Sequence, residues 1–332
     1  MSTAPVFSID PRAFWHDPYP TLKAMREQAP IAYVPELDAT LMVKRDDIAL
    51  NEKLIDVFSS VQPGGLMTQL MGQNMMRKDG RDHRAERKAI FPAISPKTVK
   101  AVWRAAFEDM TDRVLDDLAP RKGADMTSDI ARRLAGEALC LVTGLTNMDW
   151  QTMDRVSQAM VDGCANYAGD PAIEAHCLTC VETIDQHVAE RLDAVRHSPD
   201  FSLLSVQQQS GMDDAQNCIN IRLAISGGQN ETRDAIAGTI WALLIHPEQR
   251  AKIEQGEATW LDAFEEYARW MSLIGMSPRR VAQPYDFNGV AFAPEDRVFL
   301  MFSSGNRDEA VFANPDEFDV SQDCTPAISF GA

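Results

Sequence analysis

Two adjacent glycines interrupt a long apolar stretch and are followed at once by polar side chains. Gly227 and Gly228 lie between apolar runs that would otherwise form a strong helix, and each glycine weakens a helix interior by about 1 kcal/mol. The polar run after them begins with Asn230, Glu231 and Thr232. Such a notch suits ligand activation or water handling at a buried site, with the helix opened or closely approached there. The alternative is a kinked packing helix with a solvent-exposed polar turn.

A second pattern is a histidine and an arginine spaced four residues apart. His83 and Arg87 share one face if the segment is helical, and together they could bind an anion. The alternative is a solvated basic helix face. The surrounding basic stretch, from Arg77 to Lys88, could equally be such a face or a docking surface for a small acidic electron carrier.

A third pattern is an acid and a base three residues apart. Glu266 and Arg269 would share a helix face and could pair, but such pairs are common on protein surfaces. Their significance depends on their position between the glycine notch and a stretch of short strands that follows Pro278. Cys177 and Cys180 form a C-x-x-C without a second pair, which favours two ordinary helix residues over a zinc or redox site.

The elements that must hold these residues are mostly helices. Helical periodicity covers most of the chain from Arg81 to Ser272, including one helix from about Asp213 to Ile245. A hairpin near residues 31–43 and short strands after Pro278 predict two small sheets. The expected fold class is therefore mainly α, of the α+β type. We expect residues 1–332 to form a single domain.

The composition of the chain excludes several classes of function. The formal net charge of -17 disfavours binding to nucleic acid or to an anionic membrane, although it allows a local basic patch. The first eleven residues lack the basic and apolar regions of a signal peptide, and no apolar run approaches the length of a membrane span. These features predict a cytoplasmic protein with no nucleic-acid or membrane partner. No Gly-x-Gly-x-x-Gly follows a strand, so a built-in nicotinamide or flavin domain is not expected.

The ordered set of motifs resembles the cytochrome P450 superfamily, bacterial soluble type. It comprises Asp17-Pro18-Tyr19-Pro20, His83-x-x-x-Arg87, Gly227-Gly228-x-Asn230-Glu231-Thr232, Glu266-x-x-Arg269, Arg280, Asn306-Arg307-Asp308, Asn314-Pro315-Asp316 and Phe330-Gly331. The resemblance covers essentially the whole chain. It implies a haem monooxygenase fold with haem b (iron-protoporphyrin IX) as the cofactor. The family's haem loop with its thiolate cysteine, and the last helix of the fold, are expected beyond Ala332. The domain would then be incomplete at its C-terminus, no metal ligand is expected within the chain, and the implied activity is that of the full-length parent. Cys324 precedes Phe330 and cannot take that position without refolding of the loop.

The resemblance also implies roles for individual residues. His83, Arg87 and Arg280 would hold the haem propionates, Gly227 and Gly228 would lie against the haem, and Phe330 would open the haem loop. Asn230, Glu231 and Thr232 would relay protons. The family pattern has an acid and an alcohol where this chain has Asn230 and Glu231, and some relatives that oxidise small aromatic ethers have a similar glutamate. Glu266 and Arg269 would be structural, with the third member of their usual network in doubt because Glu317 and Gln322 stand where relatives often have an arginine.

The implied activity is insertion of one oxygen atom of O2 into a small apolar or aromatic substrate, with aromatic O-demethylation as the specific hypothesis. Electrons would come from a separate ferredoxin or reductase-type donor. The predicted substrate pocket comprises Met67, Met71, Ile225, Leu273, Ile274 and Met276. Two alternatives stay open, namely a non-catalytic fragment that lacks the thiolate ligand and a peroxide-dependent relative.

Overall fold

The fold is known from a computed structural model that describes residues 1–331. It is mainly helical with small sheets, as predicted. The helices are α1 Pro11–His16, α2 Tyr19–Gln28, α3 Arg45–Asn51, α4 Leu66–Met71, α5 Gly80–Ile94, α6 Pro96–Thr98, α7 Arg104–Leu118, α8 Arg132–Thr143, α9 Trp150–Cys164, α10 Pro171–His197, α11 Leu203–Gln209, α12 Asp214–Ile245, α13 Pro247–Glu254, α14 Trp260–Met271 and α15 Phe302–Gly305. The strands are β1 Ile31–Val34, β2 Ala39–Met42, β3 Phe58–Ser59, β4 Ser277–Val281, β5 Tyr285–Phe287, β6 Val290–Phe292 and β7 Arg297–Leu300.

The chain divides into two compact units. One consists of Met1–Gln62 with the chain from Gly238 onward, and the other is Pro63–Ala237. The second unit is helical and is built around one apolar cluster that includes Met71, Met160 and Ile225. In the part of the chain that the structure describes, none of the helices combines the length and the apolar composition that crossing a bilayer requires.

Two small sheets are present, as predicted, but the strands are divided between them differently. The first unit contains one five-stranded sheet in the order β1-β2-β7-β4-β3, and only β5 and β6 stand apart as a hairpin. Strand β7 lies parallel to β2 and antiparallel to β4, so it joins the early and late strands. Both β2 and most of β7 are buried, as central strands usually are. The turn between β5 and β6 is formed by Asn288 and Gly289, with positive φ angles of 48° and 79°.

The expected opening of the long helix at the two glycines is also absent. Helix α12 runs without a break from Asp214 to Ile245. Packing by neighbouring helices offsets the propensity cost of the glycines, as tertiary context commonly does. What remains of the prediction is that another group approaches the helix backbone there.

Candidate active site

One face of α12 is left open at the first glycine. An ideal Cβ placed on Gly227 would meet no atom within 4 Å, and the residue is exposed. Glu231 follows one turn later, so it lies on the same face. Within its unit, α12 therefore presents a strip without side chains next to a carboxylate.

The opposite side of α12 is held by α8 and α9. A Cβ on Gly228 would lie 2.9 Å from Leu139 Cδ1, so this glycine permits close helix packing. The Gln229 side-chain amide donates to Asp154 Oδ1 at 3.1 Å, and the Ser157 hydroxyl donates to the Ile225 carbonyl at 3.0 Å. These bonds explain how the helix continues through two glycines and why its open face is the Gly227 side.

The three predicted proton-relay residues differ in their surroundings. Asn230 Oδ1 and Glu231 Oε2 are buried, and among the described residues they have no hydrogen-bond partner. Desolvation by burial raises the pKa of Glu231. Thr232 is exposed and follows Gly228 by one turn, so it lies away from the Gly227 face. The structure thus brings Asn230 and Glu231 near the open strip but not Thr232.

The predicted anion pair lies on α5 as expected. His83 is half-buried and Arg87 is exposed, one helical turn apart. The basic stretch around them is not uniformly a solvated face. Arg77 is buried, and Lys78 forms an ion pair with the buried Glu86.

Two neighbouring arginines on β4 are used differently. Arg279 pairs with Glu52 at 2.9 Å, and both side chains are largely buried. Arg280 donates to the Val61 carbonyl at 3.0 Å and pairs with Glu295, whose side chain is 73% exposed. Because an exposed ion pair contributes little, Arg280 can exchange Glu295 for another anion.

Glu266 and Arg269 form a completely buried pair, with 0% exposure of both side chains. Arg269 also donates to the carbonyls of Asn306, Pro315 and Glu317, at 2.9–3.0 Å. The doubt about a third network member is resolved by groups that the motif comparison did not indicate. Glu266 accepts hydrogen bonds from the Asp319 backbone amide at 2.9 Å and from the Cys324 thiol at 3.5 Å.

Cys324 therefore acts as a hydrogen-bond donor. Burial and the Glu266 carboxylate raise the pKa of its thiol to about 12, so the thiol stays protonated at neutral pH. Phe330, further along the chain, is 61% exposed and lines a cavity of about 380 Å³ together with Phe264 and Cys324. Gly331 has a φ of +102°, which favours glycine.

The predicted pocket residues are distributed over several clusters. Met67, Met71 and Ile225 belong to the core of the helical unit, where Met71 and Ile225 have no exposed surface. In the other unit, Leu273, Ile274 and Met276 pack against three different clusters. Sequence reasoning missed Asn220 and Glu86, which are buried and hydrogen-bonded to each other. The signal was an asparagine within the apolar part of α12.

Known proteins that resemble this chain were found by sequence and by structure. No protein-family model matches the sequence. The biotin biosynthesis cytochrome P450 of Bacillus subtilis is 24% identical over 272 residues, which are 80% of this chain and 68% of that protein. The methyl-branched lipid omega-hydroxylase of Mycobacterium tuberculosis is 24% identical over 343 residues, covering 92% and 76%. The crystal structure of P450BioI with an acyl carrier protein superposes with a TM-score of 0.85 at 21% identity, over 97% of this chain and 86% of that one.

The fold is that of a bacterial cytochrome P450, as the motifs predicted. In sequence, the chain is similar to these two relatives over 80% and 92% of its length, and in structure it shares its fold with bacterial cytochromes P450.

The residues of this chain fit a haem at the open face of α12. The space beside Gly227 would accept a flat macrocycle, and the unpaired oxygen of Glu231 is an orphaned buried acceptor of the kind that a bound group or water satisfies. His83 and Arg87, in the same unit, are cationic or hydrogen-bonding groups suited to carboxylates.

Replacing Gly227 with leucine tests this fit. Because no protein atom lies within 4 Å of the new Cβ, the variant should fold, and its unfolding free energy should rise by about 0.8 kcal/mol through helix propensity. Its haem affinity should fall at least tenfold, since the side chain would occupy the space of the macrocycle. Urea unfolding of the haem-free protein and a haem titration measure the two effects. Unchanged haem affinity would exclude the Gly227 face as the haem site.

Proposed function

We propose that this protein is a haem-dependent monooxygenase that inserts one oxygen atom of O2 into a small apolar or aromatic substrate. The observation that carries the proposal is the half-buried Glu231 carboxylate, unpaired at Oε2, one turn from the open backbone of Gly227. When bound, haem b would supply the chemistry that activates dioxygen. The chain's own residues would bind and orient the cofactor, exclude water and move protons.

His83 and Arg87 would hold one propionate and Arg280 the other. The exposure of Arg87 and the weak, exposed partner of Arg280 support this assignment, since neither guanidinium is fixed in a buried pair. Phe330 and Gly331 would begin the haem loop that the resemblance implies, and Gly228 would keep α12 close to α8.

Glu231 would carry protons to the reacting oxygen. Burial raises the pKa of this carboxyl, so a larger fraction holds a proton near neutral pH than for an ordinary glutamate. A general acid works best when its pKa is close to the working pH. Asn230 would orient a water beside Glu231 through its unpaired Oδ1, and Thr232 would play a lesser part because it is exposed.

The substrate class follows from the glutamate and the apolar surroundings. The partly exposed residues Met67, Leu273, Ile274 and Met276 would supply an adaptable apolar wall. Met71 and Ile225 have no exposed surface and would pack behind it. We propose an aryl methyl ether as the substrate. In its demethylation the ether, O2, two electrons and two protons yield the phenol, formaldehyde and water, and the electrons would come from a separate ferredoxin-type donor.

Turnover of guaiacol tests the proposal. With haem, O2, ferredoxin, ferredoxin reductase and NADPH, formaldehyde should appear in equal amount to the catechol formed. Omission of the ferredoxin should abolish turnover. The aryl ether assignment would be contradicted if neither guaiacol nor 4-methoxybenzoate yielded formaldehyde and the corresponding phenol.

A peroxide-dependent activity is the second candidate, favoured by Glu231 standing where the family has an alcohol. A carboxylate can move a proton between the two oxygens of hydrogen peroxide. Turnover with hydrogen peroxide alone, and none with the electron donors, would establish this candidate in place of the first.

A further inference from the structure

The helical unit contains a buried polar network whose residues are not among those proposed to bind the cofactor or to carry protons. At its centre is Asn220 on α12, which is 2% exposed. Its Oδ1 accepts a hydrogen bond from the Met75 backbone amide at 3.1 Å, and its Nδ2 donates to Glu86 Oε2 at 2.9 Å. Both amide atoms are thus used, by two different parts of the chain.

Asn220 lies on the face of α12 that carries the candidate site. Seven residues are almost two turns of a helix with about 3.6 residues per turn, so Gly227 is on the same face, and Glu231 follows one turn later. The network therefore fixes the beginning of the face on which we place the cofactor and the proton relay.

Glu86 connects this face to α5. It lies between His83 and Arg87 in sequence and is 8% exposed. Besides Asn220, it accepts from the Gln216 side chain at 3.3 Å and forms an ion pair with Lys78. The orientation of the predicted propionate-binding helix therefore depends on an amide of α12.

The methionine-rich segment, residues 67–76, is attached to α12 in the same region. Its backbone donates from Met75 to Asn220, and the Met71 carbonyl accepts from Arg222 Nη1 at 3.1 Å. Gly72, with a φ of +87°, lies so close to Ile219 that a Cβ would be 2.9 Å from the Ile219 side chain. These contacts hold a segment that has only a short helix and a 3₁₀ turn of its own.

We propose that Asn220 is a positioning residue that holds the methionine-rich segment and helix α5 in register with the Gly227 face of α12. The proposal rests on the proposed function in what Asn220 positions, while the coupling itself rests on the contacts alone. One side chain then sets both the substrate wall and the propionate-binding pair, without touching substrate or haem.

An exchange of partners tests the coupling. Asn220→Asp keeps the acceptor for the Met75 amide but places a second carboxylate against Glu86. Adding Glu86→Gln to the same chain restores a donor, because the new amide at position 86 can donate to the new carboxylate at position 220. Asn147→Asp is the matched control, since Asn147 Nδ2 also donates to a glutamate, Glu190, at 2.9 Å, but on the exposed surface.

Two readouts separate this proposal from the proposed function. Hydrogen exchange of residues 66–77 in the haem-free protein should accelerate about tenfold or more in Asn220→Asp, corresponding to the loss of a buried, charge-assisted hydrogen bond. Haem affinity should fall by a similar factor, and the double variant should recover both to within about threefold of the original protein. The control should leave both readouts unchanged.

Two results would contradict the proposed role of Asn220. No change in exchange of residues 66–77, or no recovery in the double variant, would overturn the role of Asn220. If the original protein bound no haem, the proposed function would fail, while the exchange data would still decide whether Asn220 couples the three segments.

Discussion

Replacing Arg269 with alanine should lower the free energy of unfolding by about 3–5 kcal/mol, the range found when one partner of a buried ion pair is removed. Both Arg269 and Glu266 have no exposed surface. The substitution leaves the Glu266 carboxylate without its cation, although the Asp319 amide and the Cys324 thiol still donate to it. It also removes the donors to three backbone carbonyls, two of which make this hydrogen bond in a buried position.

Urea unfolding followed by circular dichroism measures this effect. Arg250→Ala is the control, because Arg250 and Glu254 form an i,i+4 pair at 3.1 Å on the surface, and an exposed pair of this kind contributes about 0.3–0.5 kcal/mol. A loss below about 1 kcal/mol for Arg269→Ala would show that the buried network is not needed to hold the segment from Asn306 to Cys324 on α14.

Replacing Glu231 with glutamine should lower the turnover rate about 10²–10⁴-fold, the usual contribution of a positioned acid or base. Glutamine keeps the shape and polarity of the side chain but cannot carry the proton. The fall in rate with rising pH that belongs to ionisation of this carboxyl should disappear in the variant. An unchanged profile would exclude Glu231 from the relay.

The same substitution should make the protein more stable at neutral pH. Burial raises the folded-state pKa of Glu231, so ionisation is less favourable in the folded protein than in the unfolded chain. The resulting penalty is absent below the unfolded pKa of about 4.3, grows as the pH rises from there to the folded pKa, and is constant above it. Glutamine removes this penalty. The stability of the variant should therefore exceed that of the original protein at neutral pH and converge with it in acid.

Asp214→Asn supplies the matched control, because it lies on the same helix and its pKa shifts the other way. The hydrogen bond from Arg196 lowers the pKa of Asp214, so its stabilising contribution is present above the unfolded pKa and is lost as the pH falls through the folded pKa. Asp214→Asn should reduce stability at neutral pH. Thermal unfolding at several pH values distinguishes the two signs. Equal pH dependence in both variants would contradict the buried environment of Glu231.

The sequence was informative where spacing alone determines geometry. His83 with Arg87, and Glu266 with Arg269, share helix faces because the helical period requires it. Gly227 marked the open side of α12 and Gly228 a close helix contact, since a helix keeps such residues only where the missing side chain has a use. The family and the mainly helical fold were predicted from the order of these motifs.

The sequence could not predict contacts between distant segments. The pairing of β2 with β7 depends on which buried strands meet in space, so the early and late strands were expected in separate sheets although these two share one. The donation from Cys324 to Glu266 and the bonds of Asn220 to Met75 and Glu86 join residues far apart in the chain. Only the folded structure shows that these polar side chains have partners.

A titration of haem into the protein, followed by the growth of its Soret absorption, tests directly whether the protein binds haem through its propionates. We expect saturation at one haem per chain. We also expect binding at least tenfold weaker for the dimethyl ester of haem, whose capped propionates cannot pair with His83, Arg87 and Arg280. Absence of saturable binding, or equal affinity for haem and its ester, would contradict the proposed haem site.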